Sequence, residues 1–162
     1  MGLFQGILAI AALAAASLAN AAGTPPVEGG FRTVAPDQIV WQKVRGGLGV
    51  QAALIAGDPA KPGTYVIRVK FPPYVMDRPH FHSRDRHVTV LKGSWAVGTG
   101  KDFDPAKSRQ LPAGSYMFHP ANGVHWDGSN NAEEVIVQVI GNGPVESEDL
   151  DPEQPTWVKV GP

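Results

Sequence analysis

Beyond residue 22, no stretch repeats its apolar residues every 3.6 positions over the length of a helix. Short apolar runs recur instead: Ile39-Val40-Trp41, Gly49 to Ala56, Tyr65 to Phe71, His87 to Leu91, Trp95 to Val97, Ser115 to Phe118, Val124 to Trp126 and Glu134 to Ile140. The run Tyr65-Val66-Ile67-Arg68-Val69-Lys70-Phe71 alternates in character. Alternation marks a strand with one buried face, because successive side chains leave a strand on opposite sides. Turn clusters separate the runs at Gly46-Gly47 and Asp58 to Gly63, and Lys92-Gly93 reads as a tight turn joining two strands. Strands at a spacing of about 8 to 12 residues predict an all-β sandwich or closed barrel. Gly47-Leu48-Gly49 matches part of a dinucleotide fingerprint, but no amphipathic helix follows it, so nucleotide binding is set aside.

Length and charge narrow the reading. A chain of 162 residues fits one domain, given roughly 100 to 200 residues per domain. With 14 basic and 15 acidic residues and no basic run, the chain has no electrostatic footprint for nucleic acid. It has no cysteine, which excludes disulfides and thiolate metal sites and leaves His, Asp, Glu and Tyr as candidate ligands. The alanine-rich apolar stretch Leu3 to Leu18, followed by Ala19-Asn20-Ala21, reads as a signal peptide over residues 1–21, although no Lys or Arg precedes it. Cleavage before Ala22 leaves a mature domain of residues 22–162 in the periplasm or outside the cell, with no membrane attachment. Gly23 to Gly30 reads as a flexible leader, and the acidic, proline-bounded tail Val145 to Pro155 as a solvated connector.

All five histidines lie between His80 and His125. Imidazole combines a near-neutral pKa with a nitrogen lone pair, so such a cluster points to metal binding or proton transfer. Around them stand His80-x-His82-x3-Arg86-x6-Gly93 and Gly114-x5-Pro120-x2-Gly123-x-His125. This pair of motifs resembles that of the cupin superfamily and covers the central third of the chain closely. The resemblance implies a cupin-type jelly-roll barrel, also called a double-stranded β-helix. His87 to Gly93, Trp95, Gly98-Thr99-Gly100 and Phe103-Asp104 look like a subgroup of small single-domain bacterial cupins.

Carried over residue by residue, the resemblance makes His80, His82 and His125 metal ligands. Two histidines two apart on a strand share a face, and a third from a neighbouring strand closes a facial set with positions open for water or substrate. The implied cofactor is one divalent transition metal: Fe, Mn, Zn or Ni. The family usually places a glutamate ligand where this chain has Arg86, and a guanidinium has no lone pair to give. The site is therefore three-histidine, or Asp85 or His87 takes the vacated role. Arg86 and His87 are the candidate catalytic residues. Arg86 would hold an anion beside the metal, its more ordinary fate being an ion pair with Asp85 or a nearby acid; His87 would move a proton or support a ligand from behind.

His119, before Pro120, reads as a surface or turn residue, with a proton relay as its sharper role. Tyr74, Tyr116 and Trp126 are candidates for the barrel mouth, although aromatics in a small jelly roll are usually core. Arg78 and Arg84 border the motif and could steer an anion. Two functions fit: a small metal-dependent enzyme of oxygenase, isomerase or lyase type acting on a small, anionic organic molecule, or a non-catalytic module holding a metal or small ligand. The expected partners are a small molecule and a second copy of the chain, since exposed sheet edges need covering.

Overall fold

The computed structural model describes residues 28–162, so the stretch read as a signal peptide and most of that read as a leader fall outside the described residues. Thirteen strands follow in order: β1 (Gln42–Lys43), β2 (Gln51–Ala56), β3 (Gly63–Phe71), β4 (Val75–Asp77), β5 (His80–His82), β6 (Arg86–Lys92), β7 (Ser94–Thr99), β8 (Arg109–Pro112), β9 (Tyr116–His119), β10 (His125–Gly128), β11 (Val135–Gly143), β12 (Ser147–Asp149) and β13 (Trp157–Lys159). Helical structure among the described residues is limited to short 3-10 turns. One sheet runs β1-β2-β3-β11-β6-β9; the other runs β12-β5-β10-β4-β13, with β7 against β10 and β8 outside β7. Every pairing is antiparallel. This is the expected all-β jelly roll.

Alternation builds the core. In β11, Val135, Val137 and Val139 point inward and are buried, while Ile136, Gln138 and Ile140 face the other way. Burial of each valine contributes about 1.5 to 3 kcal/mol. They meet Tyr65 from β3, Val88 and Val90 from β6, and Trp95 and Val97 from β7. A smaller cluster of Met76, Ala96 and Trp126, with Phe103, Val158 and Val160 against it, covers the opposite face of the second sheet. There the Trp126 ring occupies the space that a side chain on Gly98 would fill, since a Cβ would come within 2.0 Å of it.

Three expectations change. The strand foreseen at Ile39-Val40-Trp41 starts later, at Gln42, after a 3-10 turn over Pro36–Gln38. Proline fixes a φ that suits the first turn of a helix, and Trp41 covers the Lys70 ammonium at 4.2 Å instead of entering a ladder. The turn at Lys92-Gly93 does not make a hairpin. β6 has both edges taken by β11 and β9, so the chain crosses at Gly93 into the other sheet, where β7 pairs with β10 and β8. Gly93 has φ 75°, and a Cβ there would sit 2.5 Å from the Glu134 carbonyl oxygen. Finally, the acidic tail is a connector only in part: Ser147–Asp149 forms β12 and pairs with β5, while the exposed residues 150–155 link it to β13. As set aside, Gly47-Leu48-Gly49 leads into β2 and no helix.

Candidate metal centre

β4 and β5 lie end to end along one edge of β10, broken at Arg78-Pro79, where proline has no N–H for the ladder. His80 stands directly opposite His125 in that ladder, and His82 lies two residues on, sharing its face. The three rings converge between the sheets, with centroids 4.3 Å (His80 to His125), 4.9 Å (His80 to His82) and 5.3 Å (His82 to His125) apart. A ligating nitrogen from each lies within 4.8 Å of the others, and all three residues are buried.

The far side of each ring is tied down. His80 Nδ1 donates to the Arg78 carbonyl at 2.9 Å, and His125 Nδ1 to the Gly123 carbonyl at 2.9 Å. A carbonyl only accepts, so both rings carry the proton on Nδ1 and present the Nε2 lone pair to the centre. His82 Nδ1 meets Ser147 Oγ at 2.6 Å, and its Nε2 is buried without a partner. Burial pushes the pKa of all three below the usual imidazole range, helped for His82 by Arg86 and for His125 by His80, and opposed for His80 by Asp127. Neutral, oriented imidazoles with one orphaned inward nitrogen are the donor set that a divalent transition metal requires. The residues present fit such an ion.

Four further side chains complete the chamber. Asp127 shares the face of His125, and its Oδ2 lies 3.9 Å from His125 Nε2. Asp77 Oδ2 lies 3.6 Å from His80 Nε2, and its Oδ1 accepts the Asp127 N–H at 2.7 Å. Trp95 Nε1 donates to Asp127 Oδ1 at 2.9 Å. Burial raises both acids, Asp77 to about 8 and Asp127 to about 7, the second also because Asp77 is beside it. His119 is buried, not a surface residue. Its ring stacks on Trp95 at 5.8 Å, lies 3.9 Å from His125 between centroids, and is pushed by burial and then by Arg86 to about 3.

Arg86 enters from the first sheet, opposite His119 in the β6–β9 ladder. Its Nη2 lies 3.2 Å from His119 Nδ1 and 3.4 Å from His125 Nε2. The ion pair with Asp85 is absent: Asp85 is exposed and accepts the Ala121 N–H at 2.7 Å. His87 must be corrected more fully. One residue beyond an inward Arg86, it faces outward, exposed, with Nδ1 2.8 Å from Tyr116 Oη. Neither His87 nor Asp85 reaches the centre, so neither replaces the glutamate, and His87 moves no proton there. Trp126 belongs to the outer cluster, Tyr116 to the outer face beside His87, and Tyr74 packs against Gly161. The Arg78 guanidinium lies over Phe103 at 5.5 Å, while Arg84 donates to the Pro144 carbonyl at 3.0 Å.

Sequence reasoning missed Asp77, Asp127, Trp95 and Ser147. Asp127 was within reach, since the alternation that pairs His80 with His82 also pairs His125 with Asp127. No sequence signal marks Ser147.

Solved structures share the fold. KdgF from Halomonas sp. is 20% identical with a TM-score of 0.54, covering 69% of this chain and 94% of its own. The polyketide cyclase RemF from Streptomyces resistomycificus is 18% identical with a TM-score of 0.61, covering 75% and 88%. A cupin-like protein from Thermotoga maritima is 24% identical with a TM-score of 0.52, covering 64% and 80%. No curated protein matches the chain in sequence. The model of the ChrR cupin-like domain matches residues 30–146, spanning both histidine motifs and strands β1 to β11, and the chain belongs to that family of small cupins.

Proposed function

We propose that the protein is an exported metal-dependent enzyme of oxygenase, isomerase or lyase type, acting on a small organic molecule at His80, His82 and His125. The observation that carries this reading is the set of anchored Nδ1 atoms, which aims the Nε2 lone pairs of His80 and His125 and the partnerless Nε2 of His82 at one place. A divalent metal there supplies Lewis-acid polarisation of a bound oxygen, and iron or manganese adds redox chemistry. Asp127 is the group that holds and moves a proton, at Oδ2, since its pKa of about 7 lets it exchange near neutrality. Trp95 fixes the other oxygen of that carboxylate. Export to the periplasm or beyond rests on the signal-like residues 1–21, and self-association rests on the exposed aromatics Tyr116 and Phe118 of edge strand β9.

A second reading, a non-catalytic holder of metal or ligand, is favoured by the enclosure of the centre, whose histidines are only 4 to 7% exposed. Elemental analysis of the purified full chain tests the metal. About one equivalent of a divalent transition metal is expected, lost in His82→Ala with the circular dichroism spectrum unchanged. Metal retained in His82→Ala, or none bound by the wild type after incubation with Fe, Mn, Zn or Ni, overturns the proposal. Turnover across organic acids by the loaded protein then separates enzyme from holder.

A further inference from the structure

We infer that the chamber takes a carboxylate on the guanidinium edge of Arg86, which makes the ligand class small organic acids. The inference deepens the reading above and rests on it for the neighbouring metal. Arg86 keeps its charge at any ordinary pH. Its Nε is closed off from solvent and has no partner, and both contacts of its Nη2 go to imidazoles. Among the described residues no carboxylate forms an ion pair with it. Asp77 and Asp127 act on it only from a distance, so a guanidinium so placed, sealed at Nε and without a contact ion pair, has room for the close counter-charge that an incoming ligand can provide.

Hydrogen-bond direction sharpens the point. A guanidinium only donates, so His119 Nδ1 accepts from it, and the neutral ring keeps its proton on Nε2. That Nε2 is also buried without a partner. Two residues facing each other across the β6–β9 ladder thus each present an unpaired N–H, the arrangement that suits an acceptor carrying negative charge. A row of register partners links them to a further donor: Tyr65, Gly141, Arg86 and His119 lie side by side on β3, β11, β6 and β9. Gly141 has no side chain to block it, and a Cβ there would come 2.6 Å from Tyr65 Oη, so the phenol reaches across the glycine towards Arg86.

Metal at His125 Nε2 would occupy the lone pair that now faces Arg86 Nη2 at 3.4 Å, releasing that N–H. Nε and Nη2 lie on one edge of the planar group, and two parallel N–H bonds match the two oxygens of a carboxylate. A neutral amide offers one oxygen and no charge. A surface groove of about 270 Å³, lined by Ser83, Arg84, Asp85, Ala121 and Asn142, flanks the loop that joins His82 to Arg86.

Calorimetric titration of the metal-loaded full chain with acetate and oxalate, with acetamide as the neutral control, tests this. Acetate should bind at least tenfold more tightly than acetamide. Arg86→Gln should lose at least tenfold in acetate affinity while keeping its metal, and Arg86→Lys, which keeps the charge but not the fork, should recover only part. Acetate binding unchanged in a folded Arg86→Gln, or acetamide binding as tightly as acetate to the wild type, overturns the inference. The second criterion applies even if the variants misfold. Metal content measured on the same samples separates the two readings: metal without Arg86-dependent acetate binding removes only the carboxylate site, and Arg86-dependent acetate binding without metal removes only the metal centre.

Discussion

Arg86 puts a positive neighbour where the resemblance leads one to expect a negative ligand, and the sign change has a measurable consequence for any metal held by the three histidines. A cation within 3.4 Å of a ligating nitrogen opposes a dication bound to that nitrogen, while a carboxylate in its place would attract it. Arg86→Glu should therefore bind zinc at least tenfold more tightly than the wild type in competition with a chelating dye, a change of about 1.4 kcal/mol or more. Arg86→Met, which removes the charge and its N–H donors without adding an anion, should fall between them. Equal affinities for the Glu and Met variants would mean that residue 86 does not face the ion. At this scale the sequence was informative where a spacing rule applied. His80 and His82 on one face follow from alternation alone, whereas His125 was placed by the resemblance of its motif. His119 and Trp95 were not legible, because their roles depend on which strand of the opposite sheet lies across from them.

Strand β12 shows what an element contributes to a site whose ligands it does not supply. It lies on the outer edge of β5, and through that pairing Ser147 comes to hold His82 at Nδ1. Partners behind a ligating imidazole fix its tautomer and ring angle, and their loss costs about 10- to 100-fold in metal affinity. Ser147→Ala should weaken zinc binding by that factor while thermal denaturation of the metal-free protein moves by only a few degrees. An unaltered affinity would mean that β5 alone fixes His82. Eight strand positions were legible from the apolar rhythm, to within a few residues, whereas β4, β8, β12 and β13, at most four residues long, left no such rhythm. Strand partners were not. The turn at Gly93 looks like a hairpin turn in sequence because local signals describe the bend and not the two sheets competing for the strands, and an acidic tail looks solvated because its pairing is made by backbone groups that composition does not report.

Across the whole molecule, the buried histidines and buried acids pull stability in opposite directions with pH. Unfolded histidines take up protons below about pH 6.5, and the folded rings at 80, 82, 119 and 125 resist doing so, chiefly through burial. The unfolded chain then binds more protons, so this contribution is lost as the pH falls below that value. Asp77 and Asp127 have the reverse sign. Folded, they keep protons up to about 8 and about 7, against 3.8 for an ordinary Asp, so their contribution falls as the pH rises above 3.8 and is gone once it has passed about 8. Chemical denaturation of the metal-free protein should show greatest stability near pH 6.5 and a decline on both sides. A profile that keeps rising to pH 8 would show that the two acids are ionised in the fold. At pH 7.5, zinc at a hundredfold above its dissociation constant should add about 2.7 kcal/mol.

The order of residues along the chain sets a timetable for assembly. During synthesis His80, His82, His119 and His125 all leave the ribosome before Ser147, and β13 follows later still to close the edge of β4. A growing chain can therefore carry every ligand and still leave His82 without the hydroxyl that orients it. Any metal taken up with His82 in its final orientation must wait until translation has passed Ser147, so the ion that counts is the one available where folding finishes, and a copy clipped upstream of Ser147 would lack that hold on His82.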